Sequence, residues 1–221
     1  MMKRETGEKF LGAGILFLLF LLFTVLVKYV DVRIWETGTP IGFSTVNIGI
    51  FKLFGGYHEL LFLITDLCAL PALGLAAAFG FFGLWQWIRR KDLRKVDPDL
   101  FVLGGFYIAV MAVYFFFEIF VVDCRPVLMD GVAEASYPSS HTMVAVAVFA
   151  TAVMQMKERL KNKRLCLWLR LGMDVFTAFT VVGRLLCGAH WFTDIVGGLI
   201  MSAALVEGYR AFISLIREEK R

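Results

Sequence analysis

Five side chains whose types can handle a phosphoryl group stand in three short blocks of the second half of the chain. The blocks are Arg125-Pro126, then Tyr137-Pro138-Ser139-Ser140-His141, then Arg184, His190 and Asp194. Arginine presents a planar fork that matches phosphate oxygens and stays charged at any relevant pH, so Arg125 and Arg184 together suit a phosphoryl group. Each alone could equally snorkel to a membrane interface. His190 and Asp194 are four residues apart. On a helix the carboxylate would sit one turn from the imidazole and hold one ring nitrogen, leaving the other free to attack. Such a pair is weak evidence by itself, because it also forms as a satisfied structural contact.

The elements that must position these groups are helices in a membrane. The chain has 221 residues, of which 59% are hydrophobic and 19% charged, and it contains 22 Phe. That balance lies outside the usual soluble range. A bilayer core needs about 20 mostly apolar residues per helical span. Six apolar stretches qualify, at roughly 10–30, 60–88, 100–122, 143–156, 171–189 and 192–213, the fourth short and the last two abutting. Each reads as a helix, since a segment in lipid must satisfy its own backbone hydrogen bonds. The expected fold is therefore all-α, one membrane-embedded domain over 1–221, with six transmembrane helices in a bundle.

Basic residues set the orientation. Lys3, Arg4 and Lys9 precede the first stretch, Arg89, Arg90, Lys91, Arg94 and Lys95 follow the second, and six Lys or Arg between Lys157 and Arg170 follow the fourth. With Arg217, Lys220 and Arg221 at the C-terminus, both termini are expected in the cytoplasm of a multi-pass cell-membrane protein. The extracytoplasmic face then receives residues 31–59, 123–142 and 184–194, and with them all three chemical blocks. The first of these segments carries Trp35, Phe43, Phe51 and Phe54 among glycines. It suits an interfacial element as well as it suits a plain connection.

Other classes are disfavoured. The net charge of +4 is distributed as a topology signal, and no basic run interleaved with aromatics tracks a nucleic acid. Cys68, Cys124, Cys166 and Cys187 form no CxxC pair and no His-linked spacing, so zinc finds no support. A disulfide between Cys124 and Cys187 stays open if that face is oxidising. The apolar run from Phe10 to Val27 is too long for a typical signal-peptide core and reads as a retained first span. There is no internal repeat.

Taken together, the blocks resemble the type-2 phosphatidic acid phosphatase superfamily of membrane lipid-phosphate phosphatases. That family's pattern is Lys-x6-Arg-Pro, then Pro-Ser-Gly-His, then Ser-Arg-x5-His-x3-Asp. This chain has Arg125-Pro126, Pro138-Ser139-Ser140-His141, and Gly183-Arg184 with His190 and Asp194 at matching intervals, so the motif region covers 118–194. The resemblance implies that His190 attacks phosphorus to form a phosphohistidine, with Asp194 orienting it and His141 protonating the leaving oxygen. Arg125, Arg184 and the groups around Ser139 and Ser140 would hold the phosphoryl oxygens. It implies no metal and no cofactor. The expected partners are the lipid bilayer and a membrane lipid phosphate, with polyprenyl diphosphate, phosphatidic acid and phosphatidylglycerol phosphate all open. Oligomeric state is not fixed by sequence. A phosphotransferase on the same scaffold and a catalytically silent lipid-binding or transport homologue remain as alternatives.

Three positions depart from the pattern. Ser140 replaces a glycine and Gly183 a serine, both small for small. Glu118 stands where the family has a phosphate-binding lysine. Seven residues are about two helical turns, so Glu118 is expected to pair with Arg125 or Arg184 rather than face substrate. Lys52 or Arg33 could supply the missing cation. Asp66 and Asp174 are expected to pair with polar groups on neighbouring helices, Glu134 to fix its loop, His58 to sit at the interface, and Gly197-Gly198 to admit close packing.

Overall fold

The computed structural model describes residues 2–219, so Lys220 and Arg221 lie outside the described residues. The chain begins with α1 (Met2–Tyr29) and a two-residue ribbon, β1 (Arg33–Ile34) against β2 (Pro40–Ile41), followed by α2 (Ser44–Leu53). Next come α3 (Glu59–Leu67), α4 (Ala69–Arg90) and α5 (Pro98–Ile119). The last three helices are α6 (Ser140–Arg159), α7 (Lys163–Leu186) and α8 (Phe192–Glu219). The fold is helical as expected, with the small ribbon as an addition.

Local sequence explains the boundaries. Pro98 occupies the first turn of α5, where its missing N–H costs nothing. The Asn162 side chain accepts the N–H groups of Arg164 and Leu165 to start α7. The second apolar stretch is broken in two at Cys68, between α3 and α4. Pro71 lies four residues after Leu67 and cannot donate to its carbonyl, which accounts for the break. This break falls two residues after Asp66.

Five helical segments are long and apolar enough to cross a bilayer: α1, α3 with α4, α5, α7 and α8. Their outward faces are apolar, as with Leu11, Leu18 and Leu22 on α1. The expected fourth stretch is α6, a 20-residue helix of lower apolarity that is packed against α4, α5, α7 and α8. Met143, Ala147, Thr151 and Ala152 are all buried there. A helix surrounded by protein need not be coated with large apolar side chains, and this is why its sequence signal is short.

α1 and α8 run antiparallel. At one end Lys9 Nζ donates to Ser214 Oγ at 2.8 Å and Thr6 Oγ1 to Glu218 Oε1 at 2.7 Å. At the other, Thr24 Oγ1 meets Tyr137 Oη at 2.9 Å. Arg159 ties the end of α6 to the start of α5 through Asp99 at 2.9 Å. The ends of α1 and α8, the α4–α5 connection and the α6–α7 connection therefore share one end of the bundle. The three chemical blocks share the other.

Candidate active site

His190 lies in the five-residue connection between α7 and α8, not on a helix with Asp194. Asp194 is in the first turn of α8, and its Oδ2 accepts the Trp191 N–H at 2.8 Å, as a carboxylate capping the start of a helix does. The expected direct clasp is lengthened: His190 Nδ1 and Asp194 Oδ2 are 3.5 Å apart. Ser136 completes it. Its hydroxyl lies 3.2 Å from His190 Nδ1 and hydrogen-bonds Asp194 Oδ2. His190 is 3% exposed and Asp194 fully buried, so this chain of bonds works without competition from water.

The other imidazole nitrogen faces the cations. Arg184 Nη2 is 3.4 Å from His190 Nε2. A guanidinium only donates, so the network assigns the lone pair to Nε2 and the proton to Nδ1, which donates to Ser136. Arg184 is fully buried over the Phe62 ring, 4.9 Å from its centroid, and its Nε and Nη1 make no hydrogen bond within the protein. Arg125 reaches the same connection, with Nη1 3.5 Å from the Ala189 carbonyl. His141 heads α6, its Nδ1 buried and without a partner.

Ion pairing differs from the expectation for Glu118. Arg125 pairs with Glu134 at 3.0 Å and Arg184 with Asp66 at 3.6 Å, so neither arginine takes Glu118. Glu134 is nearer to Arg125 because an isolated bridge folds its loop back, joining Cys124 to Ala135. Glu118 instead lines a narrow recess with Tyr114, Arg125, Ser140 and His190. Arg33 turns to Asp31 at 3.6 Å, and neither it nor Lys52 joins an ion pair of the site. Asp174 pairs with Arg170 on its own helix, while Asp66 also reaches His141 Nε2 at 3.1 Å.

Ser139 and Ser140 divide their work. Ser139 is fully buried, its hydroxyl accepts the Thr142 N–H to start α6, and its N–H donates to the Asp194 carbonyl at 3.0 Å. Ser140 lines the recess. The α6 N-terminus thus lies beside the histidines and arginines, where its dipole favours an anion. Gly197 and Gly198 permit this, since a Cβ on either would fall within 3.0 Å of Tyr137 or the Ser139 carbonyl.

The segment over residues 31–59 is a packed cap. Trp35 Nε1 donates to the Pro126 carbonyl at 2.7 Å, and its ring stands edge-on to Trp191 at 5.4 Å. Asn47 exchanges two hydrogen bonds with Thr193. The backbone N–H of His58 donates to the Cys187 carbonyl at 2.9 Å. Cys124 and Cys187 are both free thiols, not joined to one another. Among the described residues no group of three or more His, Cys, Asp or Glu is placed to hold a metal ion. A cavity of about 660 Å³ between α1, α5 and α8 is walled by apolar and small residues and has no charged lining, so it lies apart from the chemistry.

Burial holds the His190 imidazole well below its usual range, reinforced by Arg125, Arg184 and His141. It therefore stays neutral at pH values where a free histidine is charged. In a ¹⁵N-histidine titration, with only three histidines to resolve, His190 will remain neutral below pH ~6.5. Arg125→Gln removes one of these charges and will move that titration upward. The same displacement makes folding stability fall as pH drops below ~6.5, because the unfolded chain then binds a proton the native site refuses. Protonation of His190 near the unperturbed value would sink the argument.

The PAP2 superfamily profile matches residues 72–215, well over half of the chain, and the chain belongs to that superfamily. Its fold is similar to that of the first transmembrane PAP2-type phosphatidylglycerolphosphate phosphatase from Bacillus subtilis, with a TM-score of 0.59 and 17% identity over 94% of this chain and 96% of that one. No curated protein gives a significant sequence match.

Proposed function

We propose that the protein is a six-span membrane lipid-phosphate phosphatase that works through a phosphohistidine and needs no metal. The observation that carries this is the asymmetry of His190: Nδ1 is held by Ser136 and Asp194, while Nε2 carries its lone pair on the side of Arg184. That is the arrangement of an oriented nucleophile. His190 Nε2 attacks phosphorus, and the bond to the ester oxygen breaks. A proton from His141 Nδ1 leaves with that oxygen as the alcohol, or as the shorter phosphate of a diphosphate substrate. Water then attacks the phosphohistidine, giving its proton to His141 and releasing inorganic phosphate with His190 restored. Arg184, Arg125, Ser140 and the α6 N-terminus hold the phosphoryl oxygens as charge shifts among them.

Five helices fit to cross a bilayer favour a substrate whose tail stays in the membrane. With α6 counted as the sixth span, both termini lie on one side, and the basic connections gathered at the end opposite the site mark that side as cytoplasmic. The site is then extracytoplasmic. Polyprenyl diphosphate, phosphatidic acid and phosphatidylglycerol phosphate are the candidate substrates.

The test is phosphate release from a panel of these lipids by the purified protein with EDTA present. Release that survives chelation supports the proposal. Release abolished by EDTA rejects metal independence, and phosphate appearing only when an alcohol acceptor is supplied turns the reading to a phosphotransferase. Glu118 adds a second expectation. Its carboxylate shares a recess with Arg125 and His190 without pairing to either. A like charge near the phosphate costs about 1 kcal/mol in a well-solvated setting, so Glu118→Gln will lower KM roughly fivefold. An unchanged KM would show that this carboxylate does not face substrate.

A further inference from the structure

Resting on the phosphatase reading, we propose that Asp66 is a positioning residue for the general acid: it holds His141 by Nε2 and so presents Nδ1 to the leaving oxygen. The site then contains two imidazole–carboxylate systems, one for attack and one for departure. Asp66 Oδ1 is 3.1 Å from His141 Nε2 and 3.6 Å from Arg184 Nη1, so one carboxylate oxygen spans the proton donor and a phosphate-binding arginine. His141 Nδ1 is buried and makes no hydrogen bond within the protein. With Nε2 bound to Asp66, Nδ1 is the nitrogen available to protonate an ester oxygen.

The carboxylate comes from an element outside all three motif blocks. It stands on the last turn of α3, two residues before the break at Cys68. Thr65 next to it is fully buried against α7, where a Cβ on Gly183 would meet Thr65 Cγ2 at 2.5 Å. That close approach fixes the height of Asp66 relative to Arg184, which follows Gly183 directly. Phe62, one turn earlier on α3, lies under the Arg184 guanidinium. α3 therefore supplies both a ring and a carboxylate to the same arginine, and the carboxylate continues to His141. An acid at this depth of an apolar segment is costly unless paired, and here the pairing partners are the site itself.

In the chemical step the proton passes from His141 Nδ1 to the departing oxygen as the P–O bond breaks. Asp66 stays paired with Nε2–H throughout and neither gains nor loses a proton. Its contribution is largest when the leaving group is poor. General acid catalysis contributes about 10²–10⁴-fold, and orientation of the acid is a share of that.

The experiment compares two phosphate monoesters carrying the same long alkyl tail, one ending in an alkyl oxygen and one in a nitrophenyl oxygen. The full chain is assayed in phospholipid nanodiscs as parent, Asp66→Asn, His141→Ala and the double variant. Asp66→Asn is expected to lower kcat on the alkyl ester about 30-fold and on the nitrophenyl ester less than threefold, since a good leaving group needs no acid. In the His141→Ala background the Asp66→Asn change is expected to add almost nothing on either ester.

Equal losses on both esters would overturn the proposal and leave Asp66 a structural partner of Arg184. A rise in KM with kcat intact would overturn it as well. Should Asp66→Asn fail to yield a monodisperse protein, Asp66→Glu, which keeps the charge but shifts its position by one methylene, is read by the same ratio of esters. A parent inactive on both esters removes the phosphatase reading and this inference with it. A parent active on both, with Asp66→Asn unaltered, removes the inference alone.

Discussion

His190→Ala will lower kcat by about 10⁴-fold or more and abolish covalent labelling of the protein by a ³²P-phosphate ester. Loss of an activated nucleophile removes a step, not a contact, so the deficit is large and appears in kcat. In the parent, rapid acid-free quenching of a ³²P-substrate reaction is expected to trap an alkali-stable, acid-labile phosphoryl group on the chain, as befits a phosphoimidazole. The substitution also removes a buried ring that touches Ser136 and Arg184, so a melting comparison belongs with it. Folded His190→Ala protein that still turns over at a tenth of the parental rate would refute the nucleophile assignment.

Asp194→Asn is the second large effect, with an expected loss of about 10³–10⁴-fold in kcat. The side chain is fully buried, and its Oδ2 bonds both the Ser136 hydroxyl and the Trp191 N–H. An amide of the same shape can set its carbonyl oxygen at the Oδ2 position and keep both bonds, with its NH₂ in place of Oδ1, which has no hydrogen-bond partner. What it removes is the negative charge behind the Ser136 hydroxyl. Without that charge nothing favours the Nδ1–H imidazole or stabilises the cation that the ring becomes as Nε2 attacks, while the fold survives. Replacing the carboxylate behind a catalytic histidine by its amide costs about 10⁴-fold in a known case. Inorganic phosphate should still inhibit Asp194→Asn competitively, within about threefold of the parent, because the arginines are untouched. A variant with near-parental kcat would show that the Ser136 bridge does not set the tautomer.

The parts legible in the sequence and the parts hidden from it divide along one line. Residue types and intervals within each block marked Arg125, His141, Arg184, His190 and Asp194, and the structure brings these five to one end of the bundle. Apolar length marked the helices that face lipid. What sequence could not show was pairing across elements. Ser136 stands beside the motif and looked like any loop serine, Glu134 captured Arg125 through a folded-back loop, and Asp66 reaches the site from a different helix. Each depends on tertiary register, which leaves no local period to read. Helical spacing suggests a partner for Glu118, but Arg125 is six residues past the end of α5, so that spacing does not apply. The cap over 31–59 was ambiguous because aromatics serve an interface and a packed lid alike. Trp191 packs against the cap, and the signal the sequence offers for it is a tryptophan directly after His190.

Gly183 marks a point at which two substitutions depend on one another. A serine there, as in the related pattern, would need room that Thr65 Cγ2 occupies, 2.5 Å from the position of its Cβ. Thr65 is fully buried and cannot swing aside. Restoring the serine would push α3 outward and draw the neighbouring carboxylate away from His141 and Arg184. The missing hydroxyl and the buried Thr65 methyl are thus alternatives for the same space, and a change toward the related pattern at residue 183 alone would disturb the site it was meant to complete.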